Sequence, residues 1–324
     1  MPVPDNTASE HTAPPAGPGT RASGADASLV ELAAGGVRLS PIVAGAWRMA
    51  DWAMDAAGRL RWIEQCLAHG VTSFDHADIY GGYTVEALFG EALALAPALR
   101  ERMQLVTKCG IKLTSPRRPA HAIKSYDTSA AHLIASVEES LRALRTDRID
   151  LLLLHRPDLL MEPDEVAEAF RQLQSAGKVL HLGVSNHTPS QFALLHRRVP
   201  LSTNQVELSP LQLNVLDDGT LDQATDLRVR PMIWSPLGGG RIFTETDDRS
   251  YRVRFALEDV GTRHGVSAAT AAYAWILRHP SRPVPITGSS RVEALREAVA
   301  ALSVTLTREE WYAIWRAGAG RDVA

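Results

Sequence analysis

Eight short aliphatic or β-branched runs recur along the chain and alternate with amphipathic segments, and this alternation limits the fold more than any other feature. The runs span residues 41–46, 71–75, 103–108, 149–155, 178–186, 201–207, 230–235 and 283–288. Strands separated by helices predict a parallel sheet with helices packed on it. Because no break in composition divides residues 29–324, the pattern predicts a single-domain α/β fold, the (β/α)₈ or TIM barrel, rather than two open sheets.

The segments between these runs carry apolar residues at helical spacing. The predicted helices span residues 59–70, 84–96, 128–146, 162–178, 190–198 and 267–280. Thr128 or Ser129 is expected to cap the third of them and Ser267 the last. A hydroxyl at that position accepts a hydrogen bond from the free N–H groups of the first helical turn.

The beginning of the chain has a different composition from the rest. Residues 1–28 are rich in Pro, Ala, Gly and Ser, which predicts a disordered N-terminal tail. The segment lacks the basic start and the apolar stretch of a signal peptide.

The overall composition argues against several kinds of partner. The 34 basic and 37 acidic residues give a net charge of −3 and are scattered, so no basic block suits nucleic acid or an anionic membrane. No apolar run is long enough to span a bilayer. Cys66 and Cys109 are the only cysteines, which is too few for a disulfide framework and favours a reduced, cytoplasmic protein. No metal site is predicted.

Polar and aromatic residues follow several of the predicted strands. Active sites of TIM barrels lie where the strands end and lead into the next loop, so these residues are candidates for a site. They are Asp75, Lys108, His155, Ser185, Asn186, Gln205 and Trp234. Although they are far apart in sequence, the barrel would gather them at one mouth.

Tyr80, five residues after Asp75, adds a candidate acid. A phenol can donate a proton to a carbonyl oxygen that gains negative charge. A nearby ammonium favours the phenolate, so Lys108 is expected to lower the pKa of Tyr80 below its usual value of about 10. Asp75 would keep this lysine charged in a partly desolvated pocket, and His155 would donate a hydrogen bond to the substrate oxygen.

Each of these residues also has a simpler interpretation. A tyrosine after a strand is usually a packing residue, an aspartate there often stabilises a turn, and a lone histidine can be a satisfied core residue. Lysine is scarce, however, with four lysines against thirty arginines, so a lysine within an apolar strand is not an ordinary solvated surface residue. The combination favours a catalytic site.

Six segments, in order along the chain, carry a resemblance to a known family. They read "FDHADIYGGYTVEALFG", "VTKCG", "DLLLLHRPD", "GVSN", "NQVELSP" and "WSPLGGGR". From Leu29 to the C-terminus the chain resembles the aldo-keto reductases, in particular their shorter bacterial branch. The resemblance implies reduction of an aldehyde or ketone to an alcohol by hydride transfer. It also implies a catalytic tetrad of Asp75, Tyr80, Lys108 and His155, with Tyr80 as the general acid.

No G-x-G-x-x-G dinucleotide signature follows any of the runs, so a nicotinamide cofactor would be bound by other contacts. The resemblance implies that Ser185, Asn186 and Gln205 hold the nicotinamide carboxamide. It further implies that Trp234 stacks on the nicotinamide ring.

Two other segments would hold the phosphates of the cofactor. The resemblance assigns the pyrophosphate to the loop Ser235, Pro236, Leu237, Gly238, Gly239, Gly240 and Arg241. Glycines allow close approach of the backbone, although a lone glycine triplet can also be a flexible hinge. The resemblance assigns the adenosine 2′-phosphate to Ser289, Ser290 and Arg291, and the adenine to Glu297.

NADPH rather than NADH is expected, mainly because of Arg291. The chain departs from the family pattern at Ala294, where many relatives carry a second basic residue, and at Ala298, where Asn is common. Trp47 and Arg48 are expected near the nicotinamide and the substrate rim, although Trp47 could instead be a packing residue.

Two other functions remain open at this point. A regulatory or sensing protein would bind NADPH on the same barrel without turnover, and the intact tetrad argues against it. A barrel isomerase or lyase would dispense with the cofactor, and the set Ser185, Asn186 and Gln205 argues against that.

The partner is expected to be a small carbonyl compound, but its identity is not specified by the sequence. The pocket walls would come from residues 47–55, 110–127 and the segment after Arg241. The basic residues of segment 111–129 either attract acidic substrates or are merely solvated, and solvation is the preferred interpretation. His187 is expected near the substrate pocket, and His76 and Asp78 are expected to be structural. The oligomeric state is not predicted, although monomers are common among the relatives.

Overall fold

A computed structural model describes residues 29–324, and the predicted tail lies outside the described residues. Twelve strands and eleven α-helices form within this range. The strands are β1 (Val30–Glu31), β2 (Arg38–Leu39), β3 (Val43–Gly45), β4 (Ser73–Asp75), β5 (Gln104–Cys109), β6 (Ile111–Lys112), β7 (Ser125–Tyr126), β8 (Ile149–Leu154), β9 (Val179–Ser185), β10 (Asn204–Glu207), β11 (Met232–Trp234) and β12 (Val284–Thr287). The helices are α1 (Ala56–Ala68), α2 (Val85–Leu93), α3 (Ala130–Leu144), α4 (Pro163–Ser175), α5 (Pro189–His196), α6 (Thr220–Asp226), α7 (Arg241–Thr244), α8 (Asp248–His264), α9 (Ala268–Leu277), α10 (Val292–Ala300) and α11 (Arg308–Ala319).

Eight of the strands close into a parallel barrel. Their order is β3, β4, β5, β8, β9, β10, β11 and β12, and β12 pairs back with β3. Each barrel strand overlaps one of the eight predicted runs, and helices follow the strands around the outside. The predicted TIM barrel is therefore confirmed. All eight barrel strands end at the same mouth, and the candidate site residues lie there.

A hairpin that the sequence did not predict closes the opposite end of the barrel. In this hairpin β1 pairs with β2, and Leu32 and Leu39 join the buried interior cluster that contains Val106 of β5 and Leu151 of β8. The backbone N–H of Arg230, just before β11, donates to the carbonyl of Leu32 at 2.7 Å. Strands of two residues are too short to show a period, so this hairpin left no signal in the sequence.

The predictions of helix caps and helices were only partly confirmed. The hydroxyl of Ser129 caps α3 and that of Ser267 caps α9, as expected, whereas Thr128 is not a cap. The sequence analysis missed α6, α7, α8 and α11, of which α8 is the longest and begins after the capping carboxylate of Asp247. None of the helices in residues 29–324 is both long and apolar enough to cross a membrane.

Candidate active site

Lys108 lies at the centre of the barrel mouth and is 1% exposed. Its Nζ donates to the two carboxylate oxygens of Asp75 at 2.8 and 2.7 Å and to the carbonyl of His76 at 2.8 Å. It also donates to the hydroxyl of Tyr80 at 3.0 Å. Asp75 ends β4, and Lys108 lies near the end of β5, the neighbouring strand. The structure thus brings together three residues that the sequence separates.

Tyr80 is held by a turn rather than by a strand. It begins a short 3-10 turn in which Gly81 has a φ of 58°, in the left-handed region that favours glycine. A Cβ atom on Gly81 would lie 2.6 Å from Oγ1 of Thr84 and 2.9 Å from Cβ of Ala50. Both the dihedral and the crowding therefore require glycine, and this turn directs the phenol towards Lys108.

The charges around Tyr80 differ from the expectation. Burial raises the pKa of the Tyr80 phenol above its ordinary value of 10, and the Lys108 ammonium offsets only part of that rise. The prediction of a lowered pKa is therefore wrong for the protein without a cofactor. Burial by itself would lower the pKa of Lys108, but the charge of Asp75 and the hydrogen bonds to Asp75 and Tyr80 raise it above its ordinary value. At neutral pH the lysine is consequently charged and the phenol keeps its proton.

His155 follows β8 and faces Tyr80. The two ring centroids are 5.9 Å apart and the rings are nearly perpendicular. Nδ1 of His155 is buried and has no hydrogen-bond partner among the described residues. Burial, with the nearby charges of Lys108 and Arg156, holds the pKa of His155 well below its usual range. The ring is therefore neutral at pH 7 and can donate one hydrogen bond.

Ser185, Asn186 and Trp234 form a connected group at the mouth. Nε1 of Trp234 donates to Oδ1 of Asn186 at 3.0 Å, and Nδ2 of Asn186 donates to the hydroxyl of Ser185 at 2.8 Å. The hydroxyl of Ser185 donates in turn to the carbonyl of Gln205 at 2.9 Å. These bonds fix the side chains on the ends of three strands, β9, β10 and β11.

Gln205 makes a contact that the sequence did not predict. Its Nε2 donates to Oδ1 of Asp75 at 2.8 Å, across the barrel interior, so it belongs to the hydrogen-bond network of Lys108. Its Oε1 makes no hydrogen bond with the residues at 29–324 and remains able to accept one from a ligand. The residue therefore links the group predicted to hold a carboxamide with the group predicted to supply a proton.

The glycine-rich loop after β11 reaches the cavity through part of its length. Ser235, Pro236, Leu237, Gly239 and Gly240 line the cavity. Gly238 and Arg241 do not line it, and Nε of Arg241 donates to the carbonyl of Gly238 at 2.9 Å. Nη2 of Arg48, in the loop after β3, donates to the carbonyl of Gly239 at 2.9 Å. This bond bridges the loops after β3 and β11.

The segment after β12 contributes two of its four predicted residues. Ser289 and Arg291 line the cavity, and the Ser289 hydroxyl accepts from the backbone N–H of Arg291 at 3.1 Å, at the start of α10. Ser290 and Glu297 do not line it. Ala294, where many relatives are expected to carry a basic residue, faces the same cavity.

All these groups surround a cavity of about 840 Å³. Asp75, Tyr80, His155, Ser185, Asn186, Gln205 and Trp234 line it, and Lys108 lies behind them. Trp47 lies on its rim and is 57% exposed, so it is not a core packing residue. The sequence analysis missed Arg156, although this residue directly follows His155. It also treated Lys124 as solvated, whereas Lys124 lines the cavity wall.

The remaining histidines near the mouth are structural. His187, predicted near the substrate pocket, is instead buried behind it, with Nδ1 3.0 Å from the carbonyl of Ser185. His76 is fully buried and packs edge-on against Phe89 with a centroid distance of 4.5 Å. Within residues 29–324, no three His, Cys, Asp or Glu side chains are placed to hold a metal ion.

The chain belongs to the aldo/keto reductase family, because the model of that family matches residues 41–318. The oxidoreductase YdhF of Escherichia coli K12 is 51% identical over 296 residues, which cover 91% of this chain and 98% of the relative. A 6-dehydroglucose reductase of Agrobacterium fabrum is 43% identical over 291 residues, which cover 89% of this chain and 97% of that protein. The curated relatives are thus oxidoreductases.

The fold is also similar to a solved member of the family. The crystal structure of an aldo/keto reductase from Klebsiella pneumoniae, in complex with NADP and acetate, superposes with a TM-score of 0.70 at 25% identity. The match covers 86% of this chain and 92% of the other.

Proposed function

We propose that the protein is an NADPH-dependent reductase that converts an aldehyde or ketone into an alcohol, with Tyr80 as the general acid. The observation that carries the proposal is the position of Lys108 Nζ, which contacts both Asp75 and the hydroxyl of Tyr80 at the floor of the cavity. When bound, NADPH would supply the two electrons as hydride, and the protein would supply the proton.

The proton would come from the Tyr80 hydroxyl. Because the pKa of Tyr80 is above its ordinary value, the phenol carries its proton at neutral pH and can donate it to the substrate oxygen as negative charge develops there. Lys108 would stabilise the phenolate that remains, and Asp75 keeps the lysine charged and oriented. General acid catalysis of this kind contributes roughly 10²–10⁴ to the rate.

His155 would orient the carbonyl group. Its neutral ring faces Tyr80 and lines the cavity, and its Nε2 makes no hydrogen bond with the described residues. A hydrogen bond from this ring to the substrate oxygen would fix the angle at which the carbonyl meets the acid, and it would stabilise negative charge on that oxygen.

The residues of the cavity fit a nicotinamide dinucleotide. Asn186 and the free Oε1 of Gln205 offer the polar partners that a carboxamide needs, and Trp234 presents a flat surface to a ring. Ser289 and Arg291 at the start of α10 would hold the 2′-phosphate, which is the reason for preferring NADPH. The NADP bound by the Klebsiella pneumoniae family member supports the same choice.

The decisive experiment compares Tyr80→Phe with the wild type. Consumption of NADPH would be followed over a panel of aldehydes and ketones, and binding of NADPH by quenching of tryptophan fluorescence. The variant is expected to lose at least about 100-fold in turnover while binding NADPH as before. Tyr126→Phe, at an exposed position of β7, is the matched control and should behave as wild type. Wild-type single-turnover rates in Tyr80→Phe would show that the acid is another group.

We also propose a cytoplasmic location. Both cysteines of the chain, Cys66 and Cys109, are buried free thiols, in keeping with a reducing compartment.

A further inference from the structure

Two basic side chains of the cavity wall have no part in the proposed function. Lys124 lies in the loop between β6 and β7, and Arg156 follows His155 at the end of β8. Both line the cavity that contains Tyr80 and His155. Because β5 and β8 are neighbouring strands, the loops that carry these two residues rise side by side at the mouth.

The cavity wall carries an excess of positive charge. Its charged side chains are Arg48, Asp75, Lys124, Arg156 and Arg291. Asp75 is already paired with the ammonium of Lys108, and the guanidinium of Arg48 donates to the carbonyl of Gly239. Lys124, Arg156 and Arg291 remain as cations that face the cavity.

The phosphates of the proposed cofactor would account for only one of these three cations, Arg291. Arg291 follows β12 and Arg156 follows β8, and these strands lie on opposite sides of the barrel, separated by three strands in either direction. A phosphate held at Arg291 is therefore remote from Arg156. The guanidinium carbon of Arg156 lies 5.9 Å from the ring centroid of Trp234, and Arg156 directly follows His155, which lines the cavity together with Tyr80.

Neither of the two cations forms an ion pair within the protein. No carboxylate oxygen in the part of the chain that the structure describes lies within 4.0 Å of a nitrogen of Lys124 or Arg156. Glu207, at the end of β10, is close enough for Arg156 and Arg241 to offset the rise of its pKa that burial causes, but it pairs with neither. The positive charges of both cations also reach the ring of His155, whose pKa they help to lower.

We propose that Lys124 and Arg156 form a subsite for an anionic group of the substrate, so that the preferred substrate is an aldehyde or ketone that also carries a carboxylate. The planar guanidinium binds a carboxylate through two hydrogen bonds, and the ammonium adds a compact charge. The subsite rests on the proposed function, since it selects among carbonyl compounds that Tyr80 and His155 would process. Lys124 is exposed and lines the cavity, whereas Arg117 of the same basic segment is exposed outside it.

The test uses pairs of substrates that differ only in charge. 4-Carboxybenzaldehyde would be compared with its methyl ester, and succinic semialdehyde with its methyl ester, by kcat/KM for NADPH consumption at low ionic strength. The wild type should prefer at least one of the acids over its ester by 10-fold or more, mainly through KM. Arg156→Met and Lys124→Met should each reduce this preference at least 5-fold, and added salt should reduce it in the wild type. Arg117→Met removes an exposed cation from the same segment, outside the cavity wall, and should leave the preference unchanged.

Two results would overturn the subsite, and they are distinguishable from each other. If the wild type reduces both esters as well as the acids, or if Arg156→Met and Lys124→Met both keep the preference, the reductase stands and the subsite is wrong. If the wild type binds NADPH but reduces no member of either pair and no other carbonyl compound, the proposed function fails and the subsite fails with it.

Discussion

Two buried carboxylates, Asp75 and Glu86, lie on opposite faces of β5 and are stabilised in different ways. Asp75 faces the barrel mouth and is paired with the ammonium of Lys108. Glu86, on α2, faces the helix layer and accepts hydrogen bonds from the hydroxyls of Thr107 at 2.5 Å and Ser140 at 3.0 Å. Because successive side chains of a strand point to opposite faces, neighbouring residues of β5 supply the cation on one side and a hydroxyl on the other.

The comparison shows that an ion pair and hydroxyl donors act differently on a buried carboxyl group. The two residues are similarly buried, with 3% and 6% exposure. Burial raises the pKa of Glu86 to about 7, although the two hydroxyls oppose the rise. Asp75 and Lys108, in contrast, form an ion pair in which each charge is balanced by the other. Hydroxyl donors satisfy a buried carboxyl group but do not keep it ionised.

The largest effect is expected from Lys108→Met, which removes the cation that is paired with Asp75. Leaving the buried Asp75 without its opposite charge should cost about 3–5 kcal/mol of unfolding free energy, and turnover should fall by about 10²–10⁴. Urea denaturation and NADPH consumption measure the two losses. Lys112→Met breaks a partly exposed 3.5 Å ion pair with Asp127 and serves as the control. If the unfolding free energy of Lys108→Met lay within about 1 kcal/mol of the wild-type value, the ion pair would not stabilise Asp75 more than the hydroxyls stabilise Glu86.

The next effect is a dependence of stability on pH that comes from Glu86. Its folded pKa of about 7 lies above the ordinary value of 4.5, so the native state holds the proton more tightly than the unfolded chain. The stabilisation is complete below pH 4.5 and is lost as the pH rises through 7, by roughly 3 kcal/mol in total. Glu86→Gln mimics the protonated form and should gain on the wild type by that amount between pH 4.5 and 8. A stability difference that does not change with pH would mean that folding does not shift the pKa of Glu86.

A smaller effect is expected from Gln205→Met. This change removes one hydrogen bond to Asp75 while the lysine pair stays, so kcat should fall about 10-fold, in line with the loss of one bond to a charged group. Steady-state kinetics and NADPH titration distinguish two roles. Weaker NADPH binding with an unchanged kcat would mean that Gln205 serves only the cofactor.

The smallest effect is expected from Thr107→Val, which keeps the shape of the side chain but removes a hydroxyl from Glu86. The unfolding free energy should decrease by about 1 kcal/mol, and by more at pH 8 than at pH 5, because the ionised carboxylate depends more on its donors. Denaturation curves at the two pH values measure the difference. An equal loss at both would indicate that the charge of Glu86 does not change over this range.

The barrel and most of the site could be predicted because they depend on short segments of sequence. Each barrel strand is an aliphatic run with its polar residue at or just after its end, as in Asp75, Lys108 and His155. One rule of the fold, that strands of a TIM barrel end at the same mouth, then places these side chains together. The turn at Tyr80 is equally local, since its glycines adjoin it.

Other features could not be predicted because they depend on contacts between distant residues. Gln205 bonds to Asp75 across 130 positions, a contact that only the barrel register creates. The rise in the pKa of Tyr80 reflects how deeply it is buried, which no spacing in the sequence reveals. The helix α8 was missed since charged residues crowd its sequence and only Val253, Leu257 and Val260 mark its buried face.

The support of Tyr80 by a glycine turn has a consequence for how this activity can be lost. Strand ends and the loops after β11 and β12 carry the groups proposed to bind the dinucleotide, whereas the position of the phenol depends on the backbone conformation of Gly81. A single methyl group at that glycine would displace the acid and leave the rest of the barrel in place. In evolution, one substitution at Gly81 would therefore be enough to turn the proposed reductase into a protein of the same fold that binds the dinucleotide without turnover.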